Sequence, residues 1–370
     1  MPRFAKHIFK ILFASTLSFA LIEVINNPVT AAVDTPTVNS MEGLTKEIYQ
    51  SMLNRDTVMT YSINGSVSKS KIEKALQDAI TTDPYVQFMV RQYSYQYKSS
   101  LLSSSITIYM EYREDADQTA YVTSTVKRVL PTIINKNMNA HEKVKAIHDW
   151  VVLNLAYDTS LKNDTAYLGL KEGKTVCQGY ALLTYRMLKE AGITNRIAEG
   201  KAGGQLHAWN VVNLDGKWYH LDTTWDDPVP DQKGKVSYNY YLRTDKQLRA
   251  DHQWTKVYPA AAESYDMTLE RLKKDDQSRS AFYTKLETDL NYIYLNPENI
   301  VSSVKALSVK IEKAVRAGDS SVKIRYTRKA TLSDDLSKAL QDISGFEGSI
   351  RYSYRDFENT GDILLEITLK

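Results

Sequence analysis

Three residues that together could attack a carbonyl group occur in order along a short part of this 370-residue chain. They are Cys177 in "KTVCQGYALL" and His207 and Asp222 in "HAWNVVNLDGKWYHLDTTWDDP". Cys177 is the only cysteine, so it can form no internal disulfide and no CxxC zinc site. It is then a small buried hydrophobe, a link to another chain or a reactive thiol. The run Thr175-Val176-Cys177-Gln178 has capping-box spacing, which predicts Thr175 at the N-cap and Cys177 at the second helical position. Ala181, Leu182, Tyr185 and Leu188 continue with helical spacing, and Gly192 supplies a stop. The unpaired N–H groups of a first turn favour an anion, and can lower a thiol from ~8.5 by several units.

Such a thiol needs a base. Asp215-Gly216 between two alternating runs predicts a two-residue hairpin loop, which pairs Leu214 with Lys217, Asn213 with Trp218 and Val211 with His220. Extended further, this register pairs Trp209 with Asp222 and His207 with Thr224, making His207 and Asp222 diagonal neighbours on one face. Asp222 would then bond one ring nitrogen of His207 and leave the other for the thiol. His220 shares that face but lies deeper among aromatic residues and is expected to be packed, whereas His207 follows "GGQL" at the open end. His148 and the remaining histidines, without a comparable partner, are expected to be structural or exposed. "DTTWDD" lacks metal-ligand spacing, so neither a metal nor any cofactor, calcium included, is expected.

The blocks "AIHDWVVLNLAYD", "GKTVCQGYALLTYRMLKEAGI" and "HAWNVVNLDGKWYHLDTTWDDP" resemble the transglutaminase-like superfamily, which shares a papain-like core with cysteine peptidases and peptide N-glycanases. The likeness covers residues 140–245. It implies an α+β fold in which a helix bearing the cysteine packs on an antiparallel sheet bearing the histidine and aspartate. In the matching positions Cys177 is the nucleophile, His207 the base and Asp222 the orienting carboxylate. The chemistry implied is attack on a carboxamide, a thioester, and transfer of the acyl group to water or a second amine. The oxyanion would take the Cys177 N–H and a second donor from upstream, for which Tyr157 is the candidate and Gln178 a poorer one, engaged already by the capping box. Trp209 and Trp225 are further oxyanion or substrate candidates.

The elements around this core repeat. A helix with Leu44, Ile48 and Met52, a strand "TVMTYSI", a helix "SKSKIEKALQDAI" and strands "VRQYSYQY" and "SITIYMEY" precede it. The order recurs at the C-terminus with Leu307, Ile311 and Val315, "SVKIRYT", "TLSDDLSKALQDI", "GSIRYSYRD" and "DILLEITLK". Shared strings (KALQD at 74–78 and 338–342, YSY at 93–95 and 352–354) and matching periodicities predict duplicated αβαββ modules. Strand alternation predicts one packed and one wet sheet face, with Tyr93, Tyr95 and Tyr97 on the wet face, where they would meet a ligand, a partner, the central domain or only solvent.

Residues 1–32 have a basic start, an apolar stretch and small residues at 30–32, the pattern of a secretory signal peptide. The expected organisation is a signal peptide at 1–32, a module at 39–115, a catalytic core at 116–260, a helical connector at 261–299 and the second module at 300–370. A net charge of +3 without basic blocks argues against a nucleic-acid partner. Nothing after the signal is apolar enough to span a membrane, and the sequence leaves oligomeric state open. The expected function is exported cysteine-dependent acyl transfer, acting on an extracellular or cell-envelope protein or peptide. The alternative is a non-catalytic envelope scaffold built on the same core.

Overall fold

The computed structural model describes residues 36–343, 348–358 and 360–369, so the expected signal peptide lies outside the described residues. The chain divides into two units, 1–262 and 263–370.

The first unit opens with β1 (Thr37–Val38), α1 (Met41–Asn54), β2 (Val58–Asn64), α2 (Lys69–Thr81), α3 (Pro84–Met89), β3 (Val90–Ser99) and β4 (Ser103–Tyr112). The sheet order is β1-β2-β4-β3, with β1 parallel to β2 and the other pairs antiparallel. Met59, Tyr61 and Ile63 alternate inward from β2 against Leu44, Ile48 and Met52 of α1 and Ile72, Leu76 and Ile80 of α2. The tyrosines of β3 are not on the wet face. Tyr93, Tyr95 and Tyr97 stand opposite Met110, Ile108 and Ile106 and pack on the helix side, with Tyr95 Oη bonded to Glu73 and Tyr97 Oη to the Val67 carbonyl. An edge strand lets an amphipathic ring cover the core while its hydroxyl reaches the helix rim. Ser94, Gln96 and Lys98 take the wet face.

The central elements are α4 (Ala116–Ile133), α5 (Ala140–Asn154), β5 (Ala156–Tyr157), α6 (Ala166–Glu172), β6 (Lys174–Thr175), α7 (Cys177–Glu190), β7 (Asn195–Ala202), β8 (Gln205–Leu214), β9 (Lys217–Leu221), α8 (Asp245–Leu248) and β10 (His252–Gln253). Their antiparallel sheet has the order β10-β7-β8-β9. Asp215 and Gly216 both have positive φ (51° and 80°), as a two-residue primed turn requires, and the pairs Leu214–Lys217, Asn213–Trp218 and Val211–His220 follow the sequence-derived register. The ladder stops at Asn210–Leu221, so Trp209 and His207 are not paired with Asp222 and Thr224. At Asp222 the chain turns instead, the carboxylate Oδ1 accepting the backbone N–H groups of Thr224 (3.0 Å) and Trp225 (3.2 Å). Strand β8 is buried on both faces. Asn210 Nδ2 donates to the Ala181 carbonyl of α7 at 3.0 Å, while Trp209 and Val211 join Ala198 and Leu248 in an apolar cluster on the other face.

The second unit contains α9 (Tyr265–Asp275), α10 (Ser280–Asp289), β11 (Ile300–Val301), α11 (Val304–Ala317), β12 (Ser321–Tyr326), α12 (Leu332–Gln341), β13 (Ile350–Asp356) and β14 (Ile363–Leu369). Its sheet order, β11-β12-β14-β13 with β11 parallel to β12, reproduces the order and directions of the first sheet. Among the described residues no helix is long and apolar enough to cross a membrane.

Candidate active site

The start of α7 differs from the capping-box expectation. Val176 is the N-cap, without a side-chain capping bond, and Cys177 is the first helical residue. Thr175 lies in β6 opposite Tyr157, and its hydroxyl donates to the Asn163 carbonyl at 2.7 Å. Gln178 Nε2 donates to the Asp164 carbonyl at 3.0 Å. Both side chains thus anchor the 163–165 segment against the helix start, an interaction that the four-residue pattern cannot distinguish from a cap. The helix comes so close that a Cβ on Gly179 would overlap Thr175 Oγ1 and lie 2.8 Å from the Thr165 carbonyl oxygen.

Cys177 is a free, buried thiol at this end of α7, near enough to His207 to help raise its imidazole. His207 Nε2 lies 2.6 Å from Asp222 Oδ2, which leaves Nδ1 for the sulfur. The three residues singled out by spacing are therefore brought together. Burial pulls the His207 imidazole down, but Asp222 and Cys177 outweigh it and hold the ring up to about 10. Burial raises Asp222, but His207 and His252 override it and keep the carboxylate well below its usual range. The arrangement favours an imidazolium beside the Cys177 sulfur, with Cys177 and Gln178 N–H groups at the helix start that the helix itself does not use.

The other candidates divide. Tyr157, half-buried in β5, is raised by burial and by its nearness to Cys177, which it borders. Gln178 is held by Asp164 and is not a free oxyanion donor. Trp209 is not one either, because its indole N–H donates to His220 Nδ1 at 2.9 Å while its ring stacks on His207 at 5.8 Å. Trp225 stands beside the site with its ring 5.9 Å from His207 and 4.7 Å from His252.

Among the described residues, each histidine expected to lack a comparable partner meets a carboxylate, and so does His220. His148 is buried, with Asp149 and Asp226 each 3.0 Å away, and these bonds outweigh burial to raise it. His141 meets Asp215 at 3.0 Å, and His220 meets Asp245 at 2.7 Å. His252, missed by sequence reasoning, places Nε2 3.1 Å from the same Asp222 Oδ2 and Nδ1 2.6 Å from Asp251 Oδ1. It is far along the chain in a strand of two residues, where no periodicity marks it. Strand β10 approaches β7 closely because position 200 is glycine, where a Cβ would overlap the Gln253 carbonyl oxygen and lie 3.1 Å from the Trp209 ring. His207, Asp222 and His252 are near enough to be considered as metal ligands. However, both ring nitrogens converge on one carboxylate oxygen at hydrogen-bond distance, and two ligands of one ~2.1 Å tetrahedral centre would stand well beyond 2.6 Å from each other.

Kyphoscoliosis peptidase of Mus musculus is 26% identical over 217 residues, covering 51% of this chain and 32% of that protein. The Homo sapiens protein of the same name is 28% identical over 172 residues, covering 39% of this chain and 25% of its own length. The match thus spans about a third or less of these relatives. A crystal structure of a TGase aligns over 56% of this chain and 62% of that one, at 13% identity with a TM-score of 0.28, too low to bear on the fold. The model of the transglutaminase-like superfamily matches residues 127–223, which include Cys177, His207 and Asp222, and this central segment is a transglutaminase-like domain.

Proposed function

We propose that this protein is a cysteine-dependent acyl-transfer enzyme acting through Cys177, and that the buried Cys177–His207–Asp222 array is the observation that carries the reading. The Cys177 thiolate attacks a carboxamide carbonyl carbon, and the oxyanion meets the Cys177 N–H and a second donor beside Tyr157. His207 Nδ1 gives its proton to the departing nitrogen as the C–N bond breaks, leaving a thioester and a neutral imidazole. Water or an amine then attacks the thioester, His207 takes its proton, and the C–S bond breaks. Asp222 keeps Nε2 protonated throughout. The likeness to kyphoscoliosis peptidase supports water as the acceptor.

The substrate is a protein or peptide outside the cell, a reading supported by the signal-like residues 1–32. The flanking modules are copies of one another, which the identical strand orders and the repeated KALQD and YSY strings support. They serve as contact surfaces for substrate or envelope.

The test is alkylation of the chain by iodoacetamide across a pH series, with Cys177→Ser as the control. Reaction well below the ordinary ~8.5 of a thiol supports the reading, and reaction only at or above it sinks the catalytic role. A glutamine peptide with hydroxylamine then separates the acceptors, hydroxamate marking transfer to an amine and carboxylate marking hydrolysis. One observation favours a non-catalytic scaffold: Cys177 is only 1% exposed. No alkylation of the native chain would favour that alternative.

A further inference from the structure

Asp222 Oδ2 receives two imidazoles, His207 at 2.6 Å and His252 at 3.1 Å, while its Oδ1 receives two backbone N–H groups. A triad requires only the first of these. The second ring is not adventitious packing, because its remaining nitrogen also faces a carboxylate, Asp251 Oδ1 at 2.6 Å, and Asp251 Oδ2 accepts the Tyr240 hydroxyl at 2.7 Å. An ionised carboxylate can only accept, and a neutral imidazole has a single N–H. A ring bonded to two carboxylates through its two nitrogens must carry both protons.

We propose that His252 is a positioning residue of the site: held between Asp222 and Asp251, it carries a fixed proton that anchors the Asp222 carboxylate and limits how tightly that carboxylate holds the charge on His207. The inference rests on the acyl-transfer reading above. Its chemical sense lies in what His207 must do. A base that has to release its proton to a leaving group is hindered by an uncompensated buried carboxylate. With His252 charged, Asp222 keeps a counter-ion when His207 is neutral, and the two rings, 5.4 Å apart, share one acceptor oxygen.

The surroundings of His252 are consistent with this. It is opposite Ala202 of β7, and its ring is enclosed by those of Trp225, Trp209 and Tyr240. The titratable groups that face it are Asp222, Asp251, His207, Tyr240 and His220. Burial alone would discharge it, but the bonds to Asp222 and Asp251 outweigh burial and the neighbouring His207, and hold the ring above its ordinary value.

The experiment is the rate of iodoacetamide alkylation of Cys177 against pH in the full chain, for the wild type, His207→Ala and His252→Gln. The wild type should show two steps, thiolate formation and His207 deprotonation, and His207→Ala should remove the upper one. Glutamine keeps an N–H donor for Asp222 but removes a positive charge, so both steps in His252→Gln should move to higher pH, by about one to two units. A purely structural role would lower rates or stability without moving the steps, and coincident steps overturn the proposal. A single ordinary thiol step in the wild type, unaltered in His207→Ala, overturns the acyl-transfer reading and this proposal with it. Should His252→Gln fail to fold, 15N shifts of the wild-type imidazoles decide the matter. Two protons on His252 at pH 7 support the assignment, and a neutral tautomer refutes it.

Discussion

Asp222 bonds His207 at 2.6 Å from a position outside the strand ladder, whose last pair is Asn210–Leu221. The bond therefore depends on the turn that follows β9, where Asp222 Oδ1 is fixed by the N–H groups of Thr224 and Trp225. Asp222→Asn should keep those two bonds and lose the acceptor that holds His207 in its productive tautomer. On a peptide-amide substrate kcat should fall by about 10³–10⁴-fold with little change in KM, read by steady-state kinetics.

The imidazole of His207 provides a stability signature. Its value in the folded chain, about 10, exceeds the ordinary 6.5. The folded state therefore binds the extra proton between those values. The resulting stabilisation is complete below pH ~6.5 and lost as pH rises through about 10. Denaturant midpoints should decline across that interval in the wild type, and the decline should be shallower in His207→Gln.

Gly179 has no room for a side chain. Alanine there would meet the Thr175 hydroxyl and the backbone carbonyl of Thr165, forcing the start of α7 away from the 163–165 segment. Gly179→Ala should cost about 1–3 kcal/mol by urea unfolding and slow alkylation of Cys177, with the far-ultraviolet spectrum preserved.

Asp227 is a buried carboxyl bonded to the Tyr180 hydroxyl, and its Oδ1 has no hydrogen-bond partner. Burial pushes it up to about 6 from 3.8. Here the folded state holds the proton more tightly, so stability is lost as pH rises from about 4 to about 6 and stays lower above that. Asp227→Asn removes the charge, and should raise the thermal midpoint at pH 7.5 while leaving it near the wild-type value at pH 4.

The hairpin loop and the helix that carries Cys177 were legible because each is locally encoded, whereas the His207–Asp222 bond is set by the turn after β9 and not by the extended register. Asp215-Gly216 sets the hairpin register, and apolar spacing sets the helix that carries Cys177. The strings repeated in the two modules likewise pointed to sheets that prove to have the same strand order. What was misread depended on distant partners. Thr175 and Gln178 fit a capping pattern but bind carbonyls at 163 and 164, brought close by tertiary packing. The β3 tyrosines alternate as a wet face would, yet their rings cover the core, because alternation identifies two faces without saying which is inside. His252 left no trace, since its role is set by a carboxylate thirty residues earlier in the chain.

Gly200 determines whether that last imidazole has a place at all. Nothing at position 200 touches a substrate or carries charge, yet the absence of a side chain lets β10 dock and bring His252 to Asp222. A variant with a side chain there would retain Cys177, His207, Asp222 and every sequence block by which the domain is identified. It would lose the seat of His252 beside Asp222 and crowd the Trp209 ring that stacks on His207, so two chains alike in those blocks would surround the same imidazole differently.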